Sequence, residues 1–367
     1  MNTSVEKILH EVKKVIAGKD DVLEKIMMTV LSRGHVLLDD VPGTGKTTTA
    51  LAFSRALGLR YGRIQFTPDV LPSDIVGFSM YHKESGSFAY QPGAVMTNLL
   101  LADEINRTSS KTQSALLEVM EERQVTVDGQ THKLPDPFVV IATQNPVGSA
   151  GTQLLPQAQL DRFMVRLEMG YPDFASQVNI LRDRQTGDPL EAVATVSSCA
   201  EVLAMQKEAQ SVHMADALLE YVTSLAEASR SHPLTVLGVS PRGALAVCRI
   251  SRSRAYMAGR DYVLPEDVQR MVLPVLTTCA PTVSSCRPRP GSPRPPPKTC
   301  WQRWCSRFRG PTTSERWRKI GSFLLYGCCC GWQRGHGAWA IWPAASCWPR
   351  RSAPRRRSPR PAPCASA

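Results

Sequence analysis

Apolar residues follow two different periods along the first half of the chain. Every third or fourth position is apolar through residues 4–17 and again through 22–32, which predicts two amphipathic helices. Short continuous apolar runs, which are typical of buried strands, occupy residues 35–38, 61–66, 99–102 and 138–143. A further helical stripe at 111–122 separates the last two runs. Helices that alternate with short buried strands predict an α/β fold with a parallel sheet between layers of helices.

Two departures from this alternation mark the sequence up to residue 278. Residues 123–134 alternate around the pair Asp128-Gly129, which predicts a β-hairpin. Strand-like runs then end, and helical stripes occupy residues 177–184, 200–210, 215–229, 241–257 and 265–276. We therefore expect a core domain at 1–170 and a small all-α domain at 171–278.

Composition changes abruptly near residue 278. Residues 279–367 contain 15 Arg, 2 Lys and a single acidic residue, together with all seven Trp and nine of the eleven Cys. Residues 1–278 hold 27 basic and 31 acidic residues, a net charge of −4. We interpret the segment 279–367 as the translation of a lost reading frame, the alternative being a disordered basic tail. The net charge of +12 for the whole chain therefore does not indicate a nucleic-acid partner.

The sequence contains no signal that would direct the chain into or across a membrane. The N-terminal residues lack the apolar segment of a secretory signal, and no run reaches the roughly eighteen apolar residues that cross a bilayer. We expect a cytoplasmic protein without a membrane span, in which Cys199 and Cys248 are reduced thiols. His35 is expected to be a satisfied or solvent-facing side chain rather than a metal ligand.

A glycine-rich turn follows the first predicted strand and precedes a helix-forming stretch. Its sequence, PGTGKT at 42–47, offers convergent backbone N–H groups, a helix N-terminus and a cation, which are the features that bind a phosphate chain. We expect Lys46 to reach the β and γ phosphates of ATP, and Thr47 to place its hydroxyl on Mg²⁺. The strict motif begins with Gly where this chain has Asp40. The residues predicted to bind the nucleotide are Asp40, Val41, Pro42, Gly43, Thr44, Gly45, Lys46, Thr47 and Thr48.

Polar side chains end two of the predicted strands. The run at 99–102 ends in Asp103 and Glu104, a pattern that can also be a plain strand end with solvated carboxylates. We expect Asp103 to hold Mg²⁺, directly or through water, and Glu104 to polarise the attacking water. Another run ends near Asn145, whose amide could bond both the water and the γ-phosphate. Together with the glycine-rich turn, these residues predict a site that hydrolyses a nucleotide.

These motifs, with LDRF at 160–163 and SPRG at 240–243, occur in the order found in the MoxR family of AAA+ ATPases. The chain resembles that family over residues 5–276. The resemblance implies a P-loop AAA+ αβα sandwich with a parallel sheet, followed by an all-α lid. It also implies ATP hydrolysis with Mg²⁺ in a homo-oligomeric ring, expected to be a hexamer.

The resemblance also implies roles for individual residues. Asn145 matches sensor 1, and Arg162 matches the arginine finger, which enters the active site of the neighbouring subunit. Arg242 matches sensor 2, which contacts the γ-phosphate, and whether it does so within its own subunit stays open. Asn106 and Arg107, which follow the two acids, are expected to form no more than a subunit contact.

The resemblance further implies chaperone-like remodelling of a client protein, or maturation of its metal site or cofactor. It also implies a partner protein that contains a von Willebrand factor A domain. The hairpin at 123–134 and the segment 67–90 resemble the family's remodelling surfaces. The alternatives are a nucleic-acid motor and a magnesium-chelatase-like ATPase subunit. Only His132 and Lys133 lie near the hairpin tip as basic residues, too few for a groove that follows phosphates. A non-hydrolysing module would normally have lost Glu104 or Arg162.

Overall fold

The structure, a computed structural model, describes residues 2–40, 43–84, 86–145, 155–185, 187–231 and 238–279. Apart from Cys279, the segment that we interpret as a frame-shifted or disordered tail lies outside the described residues. Val41 and Pro42 of the predicted nucleotide-binding turn also lie outside them. Within the described residues, no helix combines the length and the apolar character that would let it cross a membrane.

The strands of the described segments lie in one sheet and two hairpins. They are β1 (Val36–Asp39), β2 (Tyr61–Gln65), β3 (Gly77–His82), β4 (Ser87–Pro92), β5 (Leu99–Asp103), β6 (Gln124–Val127), β7 (Gln130–Lys133), β8 (Val139–Gln144) and β9 (Val165–Leu167). Five strands form the parallel sheet in the order β2-β5-β8-β1-β9, while β3 pairs with β4 and β6 with β7. Because β8 lies between β5 and β1, the carboxyl ends of these three parallel strands are neighbours at one edge of the sheet, where α/β folds bind ligands.

Helices lie between the strands and dominate the part after β9. They are α1 (Thr3–Lys13), α2 (Asp20–Leu31), α3 (Lys46–Ala56), α4 (Pro72–Val76), α5 (Ser110–Glu122), α6 (Gln157–Leu160), α7 (Phe174–Asp183), α8 (Cys199–Ser211), α9 (Asp216–Ser231), α10 (Pro241–Met257) and α11 (Pro265–Cys279). Two 3₁₀ turns span Ile105–Arg107 and Pro189–Ala192. Serine side chains cap α5 and α10, where Ser109 accepts from the backbone of Thr112 and Ser240 from that of Gly243.

The central strands β1, β5 and β8 are buried on both faces, as their continuous apolar runs predict. One core layer lies between the sheet and α5 and includes Phe66, Leu100, Ala102, Leu116, Leu117, Phe138, Val140 and Ala142. Helices α8 and α10 pack on α2. The amide of Gln206 donates to the carbonyl of Val30 at 2.8 Å, and the hydroxyls of Ser32 and Ser253 lie 2.7 Å apart. The helical part is therefore docked on the N-terminal helices, and the boundary at residue 170 stays a prediction.

The parallel sheet, the β6–β7 hairpin and the helical part after β9 confirm the predicted fold class. The short helices α4 and α6, the strand β9 and the β3–β4 hairpin were not predicted. β9 has only three residues, too few for a periodic pattern, although it forms one edge of the sheet. The β3–β4 hairpin lies within 67–90, and its side chains are largely exposed or half-buried, so that no strict alternation marks it.

His35 joins the start of β1 to two other elements. Its Nδ1 accepts a hydrogen bond from the backbone of Val140 at 3.0 Å, and its Nε2 lies 3.1 Å from the carbonyl oxygen of Met120. Because Nδ1 accepts, Nε2 carries the proton and donates, so the neutral ring satisfies both partners. Burial lowers the pKa of His35 to about 4. The expectation of a satisfied histidine is confirmed.

This burial predicts a specific loss of stability in acid. In the unfolded chain the imidazole gains a proton near its ordinary pKa of 6.5, whereas the folded chain resists protonation until about 4. Acid therefore favours the unfolded state, by about 2 kcal/mol at about pH 5. We expect the unfolding free energy to fall by that much more in the wild type than in His35→Gln between about pH 7 and pH 5. Urea titrations at each pH measure it, and parallel pH profiles would contradict it.

Candidate active site

The turn between β1 and α3 is shaped to approach an anion. Gly43 and Gly45 have φ angles of 83° and 85°, in the left-handed region that a side chain strongly disfavours. A Cβ at either position would meet nothing within 4 Å, so the turn borders open space. Helix α3 begins directly afterwards, at Lys46, and its first N–H groups have no partner within the helix. The turn can therefore hold a phosphate chain at the positive end of a helix.

Lys46 is almost buried and is held in place by the backbone. Its side chain donates to the carbonyl oxygen of Asp40 at 2.6 Å. Burial lowers the pKa of Lys46, and the carboxylates of Asp40 and Asp103 oppose that effect. The carboxylate of Asp40 accepts a hydrogen bond from the backbone of Gly170. Asp40 thus supports the predicted site through its backbone carbonyl, which fixes Lys46. Its side chain is engaged elsewhere, with the backbone of Gly170.

A cavity of about 550 Å³ opens beside the turn. Its polar lining comes from the turn and the strand ends (Gly43, Thr44, Gly45, Lys46, Thr47, Thr48, Asp103, Glu104 and Asn145) and from four further charged residues (Lys14, Lys19, Asp183 and Arg184). Its apolar lining includes Val15, Ile16, Ala17, Met169, Pro172 and Ile180. The cavity thus joins a set of groups suited to phosphates with an apolar surface suited to an aromatic base.

Asp103 is held through both carboxylate oxygens. Oδ1 accepts from the hydroxyl of Thr143 at 2.6 Å, and Oδ2 accepts from Nη2 of Arg63 at 2.8 Å. Thr143 lies on the neighbouring strand β8, and its hydroxyl oxygen also accepts from the backbone N–H of Glu104 at 2.9 Å. One hydroxyl therefore aligns the two consecutive acids.

Glu104 is held by three donors. Its Oε1 accepts from the amide of Asn145 at 2.8 Å, and its Oε2 accepts from Gln65 at 2.9 Å and Arg107 at 2.8 Å. Burial alone would raise the pKa of Glu104, but the hydrogen bonds from Arg107 and Asn145 outweigh it and hold the pKa below its usual range. The backbone of Glu104 has a φ of 56°, which turns the chain away from the strand direction. The carboxylate is thus an ionised acceptor facing the cavity.

Asn106 positions Asn145 and is not placed to contact a second subunit. Its amide nitrogen donates to the carbonyl oxygen of Asn145 at 3.1 Å, and its amide oxygen accepts from the backbone N–H of Asn145 at 3.3 Å. Only 2% of Asn106 is exposed, so the expectation of a subunit contact is wrong for this residue. The reciprocal pair instead joins the end of β8 to the turn after β5.

Arg162 and Arg242 lie together, and neither is among the residues that line the cavity of Lys46. Arg162 borders a separate depression with Glu118 and Glu122 of α5. Arg242 forms an ion pair with Glu121 on the same helix. The hydroxyl of Ser240 donates to Asp161 at 3.0 and 2.9 Å, which joins the two arginine-bearing segments. The structure thus brings the strand-end residues to one cavity and places the two arginines outside it, beside α5.

The sequence analysis missed three residues that hold the acids, namely Arg63, Gln65 and Thr143. Thr143 stands two residues before Asn145, and only the register of β8 beside β5 shows that it faces Asp103. Gln65 lies opposite Asp103 in the pairing of β2 with β5. The polar residues of β2 would have indicated a part in the site only if the position of β2 beside β5 had already been known.

The residues present fit Mg²⁺ held together with a nucleotide. Thr47 and Asp103, the two predicted ligands, line the same cavity. Among the residues that the structure describes, no cluster of three or more His, Cys, Asp or Glu side chains could hold a metal by itself. That is the expected arrangement for Mg²⁺, which usually binds one or two protein groups together with substrate phosphates and waters.

Comparisons with known proteins agree with this arrangement. The profile of the ATPase family associated with various cellular activities (AAA) matches residues 35–165, and that of the AAA lid domain matches residues 227–278. YeaC of Bacillus subtilis is 47% identical over 263 residues, which cover 72% of this chain and 82% of YeaC. Chaperone MoxR1 of Mycobacterium tuberculosis is 40% identical over 282 residues, which cover 74% of each chain.

A third relative and a solved structure extend the comparison. Protein MoxR of Paracoccus denitrificans is 31% identical over 286 residues, which cover 71% of this chain and 84% of that protein. A crystal structure of a Cytophaga hutchinsonii protein assigned as an ATPase superposes with a TM-score of 0.70 at 36% identity. The superposition covers 75% of this chain and 86% of that one.

The contacts of Glu104 predict that its charge is needed for hydrolysis but not for nucleotide binding. Glu104→Gln keeps the size of the side chain and removes its capacity to polarise water. We expect release of phosphate from ATP to fall about 10²-fold or more, with ADP affinity near that of the wild type. Phosphate release and calorimetric titration measure the two effects. Glu227→Gln, an exposed substitution on α9, is the matched control, and undiminished turnover in Glu104→Gln would contradict the assignment.

Proposed function

Because the chain belongs to the MoxR family of AAA+ ATPases, we propose that it hydrolyses ATP in a ring of identical subunits and thereby remodels a client protein. One observation carries the hydrolytic part. The amide of Asn145 and the carboxylate of Glu104 are bonded to each other in the cavity that Lys46 lines. A phosphate-binding turn alone would imply binding, whereas an ionised carboxylate beside it supports hydrolysis.

Each residue of the cavity then has a distinct task. Lys46 leaves the carbonyl of Asp40 and binds the β and γ phosphates, while Thr47 and Asp103 hold the metal ion. Bound ATP would supply the phosphoanhydride bond, and Mg²⁺ would neutralise charge on the phosphate oxygens. Glu104 accepts a hydrogen bond from the attacking water, and Asn145, fixed by Asn106, fixes the carboxylate. Ile16 and Ile180 offer the apolar surface for the base.

A neighbouring subunit completes this site in the proposal. An arginine that stabilises the charge on the transferring phosphoryl group is worth about 10³ to 10⁵ in rate. Arg162 and Arg242 lie outside the cavity of their own subunit, on the side of α5. That shared location supports action by both arginines on the nucleotide of the next subunit. The number of subunits, expected to be six, rests on the resemblance.

The two hairpins are the proposed contacts with the client. Helix α5 runs from the turn after Glu104 to the start of the β6–β7 hairpin, so it can transmit a change at the cavity. The ring of Tyr90 on β4 stacks on His132 of β7, with centroids 3.9 Å apart, and joins the two hairpins. Phe78 and Phe88, on the β3–β4 hairpin, are exposed. These contacts support movement of both hairpins together, with exposed apolar side chains against the client.

The partner in this proposal is inferred from the family resemblance alone. The Mycobacterium tuberculosis relative is named a chaperone, and on that basis we propose a chaperone-like activity for this chain. A von Willebrand factor A domain partner and maturation of its metal site or cofactor belong to the same proposal, as does a cytoplasmic location.

Mixing two inactive variants tests whether the arginine acts between subunits. Glu104→Gln retains Arg162, and Arg162→Ala retains a complete cavity, so each supplies what the other lacks. In a randomly mixed ring about one interface in four is complete, and we expect ATP turnover to recover to about a quarter of the wild-type rate. Arg162→Ala alone is expected to lose about 10³-fold.

The control replaces the second variant by Lys46→Ala. Lys46→Ala and Glu104→Gln both damage the cavity, so their mixture cannot form a complete site and should stay inactive. Arg242→Ala mixed with Glu104→Gln is expected to recover in the same way as Arg162→Ala. Absence of recovery in the Arg162→Ala mixture would show that the arginine does not act across an interface.

A further inference from the structure

We propose that Arg63 is a positioning residue that acts as a displaceable counter-ion of Asp103, so that Mg²⁺ must displace its guanidinium to reach the carboxylate. The inference rests on the proposed function, because it concerns the metal that accompanies the nucleotide. It adds a residue of β2 to a cavity whose predicted members lie at or after the carboxyl ends of β1, β5 and β8.

The contact lies at the oxygen that the metal needs. Nη2 of Arg63 lies 2.8 Å from Oδ2 of Asp103, while Oδ1 is already occupied by the hydroxyl of Thr143. Both carboxylate oxygens therefore have a partner before any metal binds. Since a guanidinium and Mg²⁺ are both cations, they compete for the same lone pairs and repel each other at close range.

Arg63 has the freedom to leave. Its side chain is 46% exposed, whereas that of Asp103 is only 13% exposed. The same nitrogen also donates to the amide oxygen of Gln65 at 3.0 Å, so Arg63 keeps one partner when it releases the other. Strands β2 and β5 are paired in parallel, which keeps the backbone of Arg63 beside that of Leu101. The displacement therefore needs only a side-chain rotation.

The contact also explains how the acids are kept in place without a metal. Asp103 and Glu104 are consecutive carboxylates beside a cavity, and their like charges repel each other. Arg63 supplies charge to Asp103 and orients Gln65, whose amide nitrogen donates to Glu104 at 2.9 Å. The contact with Arg63 therefore lowers the affinity of Asp103 for Mg²⁺, but it also keeps the two carboxylates in position before the metal binds.

The test compares ADP binding with and without Mg²⁺ in the full chain. Calorimetry gives the ADP dissociation constant in EDTA and in saturating Mg²⁺, and their ratio measures the contribution of the metal. Arg63→Met removes the charge and keeps the length of the side chain. An ion pair of this exposure is worth up to about 1 kcal/mol, so the ratio should rise about threefold to fivefold. Arg63→Gln is the second variant in case the first is unstable.

Two controls separate this role from a structural one. Arg63→Lys keeps a cation within reach of Asp103, and its ratio should match the wild type. Arg60→Met removes an equal charge from an exposed position just before β2 and should also match. If both variants, Arg63→Met and Arg63→Gln, still bind ADP and the ratio stays the same or falls, the proposed role of Arg63 is overturned. Absence of ADP binding by the wild type in both buffers would overturn the proposed function together with this inference.

Discussion

A nearly buried ammonium and two consecutive carboxylates share one cavity, and the surrounding contacts make that arrangement tolerable. A charge removed from water is unfavourable unless hydrogen bonds or an opposite charge replace the water. Lys46 has the carbonyl oxygen of Asp40, Asp103 has Thr143 and Arg63, and Glu104 has Asn145, Gln65 and Arg107. Apart from Arg63, which lies in the middle of β2, these partners come from the carboxyl end of a strand of the sheet or from the turn after one. The site is therefore charged and assembled before a nucleotide arrives.

The strand order is what makes these contacts possible. β8 lies between β5 and β1, so Thr143 reaches Asp103 on one side while the phosphate-binding turn follows β1 on the other. β2 pairs with the outer side of β5 and brings Gln65 opposite Asp103. Asn106 then ties the turn after β5 to the end of β8 through both of its amide atoms. A change at the nucleotide can thus reach α5 and the hairpin that follows it through a short run of bonded residues.

The sequence was sufficient for the residues whose chemistry is local. The glycines before Lys46 and the acids after an apolar strand point to phosphate and metal binding because each motif is contiguous, and the structure brings them to one cavity. Arg63 and Gln65 were missed because their importance depends on β2 lying beside β5, which no local pattern shows. The expectation for Asn106 was wrong for a related reason, since its partner is 39 residues away.

The most direct test of the account is a structure of the Glu104→Gln variant, in the proposed ring, with ATP and Mg²⁺ bound. The account predicts that the phosphates lie on the turn at Gly43 and Gly45, with Lys46 on the β and γ phosphates. It also predicts that the guanidinium of Arg162 from the adjacent subunit lies within hydrogen-bond distance of the γ-phosphate. A γ-phosphate bound by Arg162 of its own subunit, or a ring interface without Arg162, would contradict it.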